Sequence, residues 1–326
     1  MNMYKILITG GAGYIGCVLT NLLLNKGFFV YSMDNLKHSK KKNFKKFKED
    51  KNFIFHACDI NNIKKTEKFF KNNRVDYVVH LAGIVGDPAS KLQKKLTKLT
   101  NLTSSKKLFS LCEKYNVKKF IFASTCSNYG IVNSKKLADE KTKLRPLSLY
   151  AKTKVDFEKF MINQVNKVSM QSLIMRFSTV FGVSDRMRFD LTINQFTREL
   201  YKKKSLNIFG ENTWRPYCHI KDVSRAILSG FNVNKKLEIF NVGNSKQNYS
   251  KKFVINTIGK YLKLKNITYS KQNIEDKRDY KVNFNKIKKN LKFKTLYDLD
   301  YGIKETIKLL KKNKKINYYT KDYSNS

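Results

Sequence analysis

Tyr4-Lys5-Ile6-Leu7-Ile8-Thr9-Gly10-Gly11-Ala12-Gly13-Tyr14-Ile15-Gly16 is the stretch on which the fold turns. Its first half is a short β-rich run, and its second half is rich in glycine. Beyond it Cys17, Val18, Leu19, Leu22 and Leu23 recur at helical spacing, so the glycines fall at a strand-to-helix turn. Glycine there permits the tight turn and lets a pyrophosphate approach the free N–H groups and positive end of the helix. Gly10, Gly13, Tyr14, Ile15 and Gly16 are therefore candidate dinucleotide contacts.

Four more strands follow at regular intervals, Phe28–Met33, Phe53–Ala57, Val75–Leu81 and Lys118–Ala123, with helices to about Asn73 and from about Lys91 to Tyr115. Strands that alternate with helices in this way imply an α/β fold, a parallel sheet covered on both faces, with ligands bound beyond the strand carboxyl ends. Asp34 closes the second strand 18 residues beyond Gly16, at the distance of a carboxylate that accepts hydrogen bonds from an adenosine ribose. It would repel the 2′-phosphate of NADP, so NAD is the expected cofactor, with Asn35 alongside. Asp59 is placed to meet the adenine amino group and Ile60 to cover the ring. Leu81, Ala82 and Gly83 end the fourth strand with small residues that let the backbone pass close to the cofactor. His80 reads as a packed strand residue, since nothing nearby in the sequence pairs with it.

The fifth strand delivers Ser124 and Thr125, and after a polar loop come Tyr150 and Lys154. Four residues apart, these two share one helical face, where an ammonium close to a phenol favours phenolate. Tyr-x-x-x-Lys is also a common amphipathic-helix pair. What lifts it here is the convergence of the glycine turn, Asp34, Asp59, Gly83 and Thr125 at strand carboxyl ends. After a further strand, Gln171–Phe177, the pattern changes to a polar loop with Arg186, Arg188 and Asp190, a helix from about Leu191 to Tyr201, and shorter elements. The expected organisation is a dinucleotide domain over 1–177 and a substrate lobe over 178–312 that returns at least once to the main sheet, followed by a frayed basic tail over 313–326.

Among 326 residues, 67 Lys+Arg against 25 Asp+Glu give a formal charge of +42, which raises nucleic acid or an anionic membrane as a partner. The lysines are spread through almost every segment and interleaved with Asn, with no recognisable nucleic-acid motif. We read them as a compositional bias of the surface that also concentrates anionic substrates. The five cysteines are isolated, with no Cys-x-x-Cys and no His at metal spacing, which predicts reduced thiols and no metal site. No secretory h-region is evident and no apolar run approaches ~18 residues, so a soluble cytoplasmic protein is expected.

Taken together, GGAGYIG (10–16), DNL (34–36), STCSNYG (124–130), YAKTK (150–154), RFSTVFG (176–182), RPYCHIKDV (215–223) and FNVG (240–243) resemble the extended short-chain dehydrogenase/reductase family, in particular its nucleotide-sugar epimerases and dehydratases. The resemblance implies a Rossmann-type doubly wound sheet with a smaller C-terminal α+β lobe for a UDP- or GDP-linked sugar, and a homodimer built on the helices 91–115 and 150–167. It also implies a catalytic triad of Thr125, Tyr150 and Lys154 with Ser124 beside it. In that triad Tyr150 takes a sugar hydroxyl proton while NAD takes the hydride, and Lys154 keeps the phenol pKa low. Arg215 and Arg278 are implied contacts of the diphosphate and nucleotide. Thr179, Arg186, Arg188 and Asn194 are further substrate candidates, arginine suiting phosphate better than lysine.

The departures bear on the reaction. The family's 4,6-dehydratases carry an Asp-Glu pair after the Thr, where this chain has Cys126-Ser127. Reductases that also epimerise place a cysteine where Ser127 stands, so Cys126 reads as a packed residue, and hexose 4-epimerases usually have Asn at Thr179. The runs 186–200 and 276–282 look most like members from surface-polysaccharide gene clusters, among them epimerases and GDP-heptose 4-dehydrogenases. The expected activity is a 4-epimerase working through a 4-keto intermediate, with oxidation without hydride return as the alternative.

Overall fold

A computed structural model describes residues 3–132, 136–270 and 278–325. Asp276 and Lys277, the start of the 276–282 run, lie outside them. The first half builds β1 (Lys5–Thr9), α1 (Tyr14–Leu24), β2 (Phe29–Asp34), β3 (Phe53–Ala57), α2 (Ile63–Asn72) and β4 (Tyr77–His80). It continues through α3 (Asp87–Leu92), α4 (Lys94–Lys98), α5 (Ser105–Lys114), β5 (Lys119–Thr125), the two-residue β6 (Leu137–Ala138), α6 (Leu149–Gln164) and β7 (Gln171–Phe177). The second half holds β8 (Thr179–Phe181), α7 (Thr192–Tyr201), β9 (Leu206–Phe209), β10 (Trp214–His219), α8 (Ile220–Gly230) and β11 (Leu237–Val242). After these come β12 (Asn248–Ser250), α9 (Lys251–Gly259), β13 (Ile267–Ser270), β14 (Lys281–Val282), α10 (Asn285–Leu291) and α11 (Leu299–Lys312).

Seven strands form a Rossmann-type parallel sheet in the order β11-β7-β5-β4-β1-β2-β3. Alternate residues of each strand go to opposite faces. Ile6, Ile8, Val79, Ile121 and Leu173 pack against Leu19 and Leu23 of α1 and Val223 and Ile227 of α8. Leu7, Val78, Phe120, Phe122 and Ile174 pack against Leu108 and Phe109 of α5 and Phe157 and Met161 of α6. Burial on both faces explains why the middle of β5, residues 120–123, is an unbroken apolar run. The chain leaves β1 toward β2 and β3, then returns to lay β4 on the other side of β1. At such a reversal the connections splay apart and open a crevice above the strand ends.

Three expectations need correction. The helix expected over 91–115 is broken at Gln93 and passes through a π-helical turn, Leu99–Ser104. In that turn the Ser105 hydroxyl donates to the Thr100 carbonyl (3.0 Å), and Asn101 stitches the loop after β4 through Ile84 N and O (2.8 and 3.0 Å). Side chains that bond backbone groups in this way compete with a regular helix ladder. His80 does have partners, Thr9 Oγ1 at 2.7 Å and Ser105 Oγ at 2.8 Å, and burial takes its pKa down to about 3, so it stays a neutral packing group. The 313–325 segment is not frayed: Tyr318 is 3% exposed and stacks edge-on with Phe189 and Tyr323 at 4.9 Å each. Phe189 N donates to Tyr323 O at 2.8 Å, so aromatic burial and backbone pairing fix a segment whose Lys, Asn and Tyr content reads as solvated.

Among the described residues no helix is long and apolar enough to cross a membrane. None of their His, Cys, Asp or Glu side chains gather in a group of three or more that could hold a metal ion.

Candidate active site

A cavity of about 520 Å³ lies over the carboxyl ends of β1, β2, β4 and β5 and under the loop 178–190. Its floor is the glycine turn. A Cβ on Gly10 would meet Ala82 N at 2.8 Å, and one on Gly16 would meet Gly11 O at 2.4 Å, so only glycine lets these backbones close up. α1 starts at Gly13 with no side-chain cap and no acidic residue in its first turn, which leaves its N–H groups directed at the cavity. Asp34 accepts from Ala12 N (3.1 Å), Leu36 N (2.8 Å) and Ser39 Oγ (3.0 Å), and these bonds oppose the upward push of burial on its carboxyl. A glycine cradle, an uncapped helix start and a fixed carboxylate beside it fit the pyrophosphate and ribose of NAD. Asn35 donates to Asp59 Oδ2 (2.9 Å), which joins the two loops that, with Ile60, wall the adenine end. Leu81, Ala82 and Gly83 line the wall above β4, and Gly83 stands where a Cβ would be 3.7 Å from Lys154 Nζ.

At the other end stand Thr125, at the tip of β5, and Tyr150 and Lys154, in the first turns of α6. Ser148 caps α6 by accepting from Ala151 N at 3.2 Å, which fixes the start of the helix that carries Tyr150. Tyr150 and Thr125 line the cavity together. Burial pushes the Tyr150 phenol up to about 12, against the lowering effect of the Thr125 side chain and of the positive charges of Arg188 and Arg278. Lys154 turns its ammonium to the strand backbone rather than to the Tyr150 hydroxyl. Its Nζ donates to Ala123 O (2.9 Å), lies 4.6 Å over the Phe122 ring and 5.9 Å from the Tyr150 ring, and burial takes it down to about 7.

Ser124 lines the cavity too. Its hydroxyl donates to the buried Glu158 carboxylate and accepts from Asn128 Nδ2 (3.1 Å), so it braces the end of β5 that carries Thr125. Glu158 also accepts from Asn128 Nδ2 (2.9 Å) and pairs with Arg176 Nη2 (2.7 Å), and Arg176 reaches on to the Tyr129 hydroxyl (3.1 Å).

Thr179, Arg215 and Arg278 line the same cavity. Arg278 bonds Ser127 Oγ (3.2 Å) and Asp87 Oδ2 (2.9 Å), and Arg215 stacks 5.2 Å from the Tyr280 ring. Arg188 is clasped by Asp190 (3.0 and 2.5 Å), and Arg186 is held at the Asp34 end by His38 O (2.8 Å) and Ser324 O (2.9 Å). Asn194 is a correction. It is fully buried and outside the cavity lining, its amide oxygen accepting from Gly182 N (3.0 Å) and its Nδ2 donating to Arg188 O (2.9 Å) and the Tyr14 hydroxyl (3.1 Å), so it shapes the loop and touches no ligand space. Tyr14 reaches that scaffold too, donating to Gly182 O at 2.6 Å.

Sequence reasoning missed Ser127, Asp87, Tyr280 and Asn325 as cavity residues. Ser127 had a signal, two positions past Thr125 where dehydratases keep a carboxylate, and Asp87 follows the glycines after β4. Cys126 is packed, its thiol on Arg176 O (3.2 Å) and pushed well up by burial.

A doubly wound sheet with a glycine cradle at its reversal and a Thr–Tyr–Lys cluster beyond it defines an NAD-binding α/β enzyme. The chain belongs to the NAD-dependent epimerase/dehydratase family, whose profile matches residues 6–243. It is 30% identical over 322 residues to a UDP-glucuronate 4-epimerase of Thermodesulfobacterium geofontis, covering 94% of this chain and 96% of that one. The structure of a UDP-glucuronic acid 4-epimerase from Bacillus cereus, in complex with UDP-glucuronic acid and NAD, is similar at a TM-score of 0.84 and 26% identity, covering 94% of this chain and 99% of that one. A UDP-glucose 4-epimerase from Thermotoga maritima, with UDP-glucose, superposes at a TM-score of 0.87 and 25% identity, covering 95% and 100%.

Proposed function

We propose that this enzyme interconverts the C4 epimers of a UDP-linked sugar through a 4-keto intermediate, returning the hydride it removes. The observation that carries the reading is what stands after Thr125. The Cys126 thiol is buried against Arg176 O and the Ser127 hydroxyl faces Arg278, so no acid–base pair adjoins Thr125 for water elimination. Asp87, a carboxylate of the cavity lining, is tied to Arg278. NAD, when bound, supplies a hydride acceptor and a cationic ring. Tyr150 takes the proton of the sugar hydroxyl and gives it back on the return step, and Thr125 holds the same oxygen. Arg278 and Arg215 suit the diphosphate, since planar guanidinium matches phosphate oxygens.

The test is incubation with UDP-glucuronate, UDP-glucose and GDP-linked sugars, followed by product separation and NADH absorbance. An epimer without net NADH is expected, and Tyr150→Phe should lower turnover by roughly 10²–10⁴. Stoichiometric NADH with a keto-sugar would replace this reading with a 4-dehydrogenase, and full activity of the Phe variant would remove Tyr150 from the mechanism.

A further inference from the structure

Arg186 is 4% exposed, yet its Nη1 has no hydrogen-bond partner among the described residues, although the side chain lines the cavity. Its other nitrogens are spoken for by backbone carbonyls, Nε by His38 O and Nη2 by Ser324 O. A buried guanidinium nitrogen left without an acceptor is costly, and in a cavity wall the group that relieves it is an anion. His38 belongs to the loop after β2, the neighbour of β1 and its glycine turn. Thr125 ends β5, three strands away from β2 and so roughly 14 Å off at ~4.8 Å per strand. Arg186 therefore sits at the glycine-turn end of the cavity and not at the end where the sugar would react.

We propose that Arg186 binds the pyrophosphate of the cofactor from above, opposite the start of α1, and that the strap of residues 317–325 holds it there. The strap is anchored before it reaches Arg186. Arg198 Nη1 donates to Tyr318 O (2.9 Å), Lys40 pairs with Asp322 (2.6 Å), and the Tyr318–Phe189–Tyr323 rings seal it. Ser324 O then fixes Arg186, while Asn325 N meets Asp190 Oδ2 (3.3 Å), the partner of Arg188. An adenosine 2′-phosphate is the weaker fit for the same nitrogen, because the Asp34 carboxylate faces that position. The proposal rests on NAD as the cofactor. It also gives the epimerase reading something it requires, a reason for NADH to stay bound between two half-reactions.

The experiment titrates NADH, NADPH and UDP against four proteins, the wild type, Arg186→Gln, a chain ending at Ile316, and the two changes combined, with melting curves to verify folding. Loss of one charge-assisted contact predicts NADH affinity in Arg186→Gln lower by about 10- to 100-fold, with UDP changed less than about threefold. Shortening the chain should weaken NADH comparably and add little in the Arg186→Gln background, since both act through one contact. Where the shortened chain fails to fold, Arg186→Gln, which leaves the strap rings in place, decides alone. Unchanged NADH binding in Arg186→Gln overturns the clamp. Equal loss of UDP moves Arg186 to the substrate, and loss confined to NADPH moves it to a 2′-phosphate; either result also overturns it. A wild type that binds no NADH overturns the cofactor assignment and the clamp with it.

Discussion

Arg176→Met removes the guanidinium from the ion pair that lies beneath Thr125. Arg176 and Glu158 are 3% and 1% exposed. The substitution deletes three N–H contacts to the carboxylate, Nε at 3.1 and 3.2 Å and Nη2 at 2.7 Å, and one to the Tyr129 hydroxyl at 3.1 Å. Among the described residues Ser124 and Asn128 remain as the only hydrogen-bond donors to a buried negative charge. Breaking such a pair costs about 3–5 kcal/mol, because the surviving charge stays desolvated. At about 2–3 °C per kcal/mol for a chain of this size, the midpoint should fall by roughly 6–15 °C in thermal unfolding followed by circular dichroism. The double variant Arg176→Met/Glu158→Leu should lose less than the single one, since replacing both charges with apolar groups removes the orphan. A single variant within about 1 kcal/mol of wild type, or two single costs that simply add in the double, would refute the reasoning.

Lys154 predicts a pH dependence of stability. Its folded value of about 7 lies below the ordinary lysine value of 10.5, so between these the unfolded chain binds more protons and stability rises with pH. Lys154→Met should therefore exceed wild type in melting temperature most at about pH 6 and by less at about pH 9; a gap that widens with pH would contradict the buried ammonium. Thiol labelling checks the packing. Cys17, Cys112, Cys126 and Cys218 are buried and burial raises all four, so iodoacetamide at neutral pH should modify Cys58 alone until the protein is denatured, as read by peptide mass. Native labelling of Cys126 would reopen it as a chemical group.

What was legible in the sequence is what local pattern encodes. Alternating strand and helix periods fixed the sheet, and the glycine turn with Asp34 marked the reversal where ligands bind. Tyr150 and Lys154 could be put on one helical face, but whether their charges act on each other depends on where the ammonium goes, and it goes to Ala123 O. The strap was illegible because its anchors are remote: Tyr318 meets Phe189 and Ser324 meets Arg186 more than 120 positions earlier, and no window of Lys, Asn and Tyr announces that. Asn194 read as a ligand group for a related reason, since a polar residue near a site looks the same in sequence whether it faces the cavity or braces the loop beneath. The arginines were the better signal in a lysine-rich chain, for Arg176, Arg186, Arg188, Arg198 and Arg215 are all buried.

The seventh strand of the main sheet, β11, comes from residues 237–242, far along the second half of the chain, and pairs with β7 along its whole length. During synthesis a chain that has emerged only as far as residue 177 has six of the seven strands, and its last-made one, with every residue but the first buried in the finished protein, is an open edge. An exposed apolar edge is a template for pairing with another chain. The first half is thus bound to wait for some sixty further residues before its sheet is closed, and a fragment cut at the apparent boundary near residue 177 would carry that sticky edge permanently.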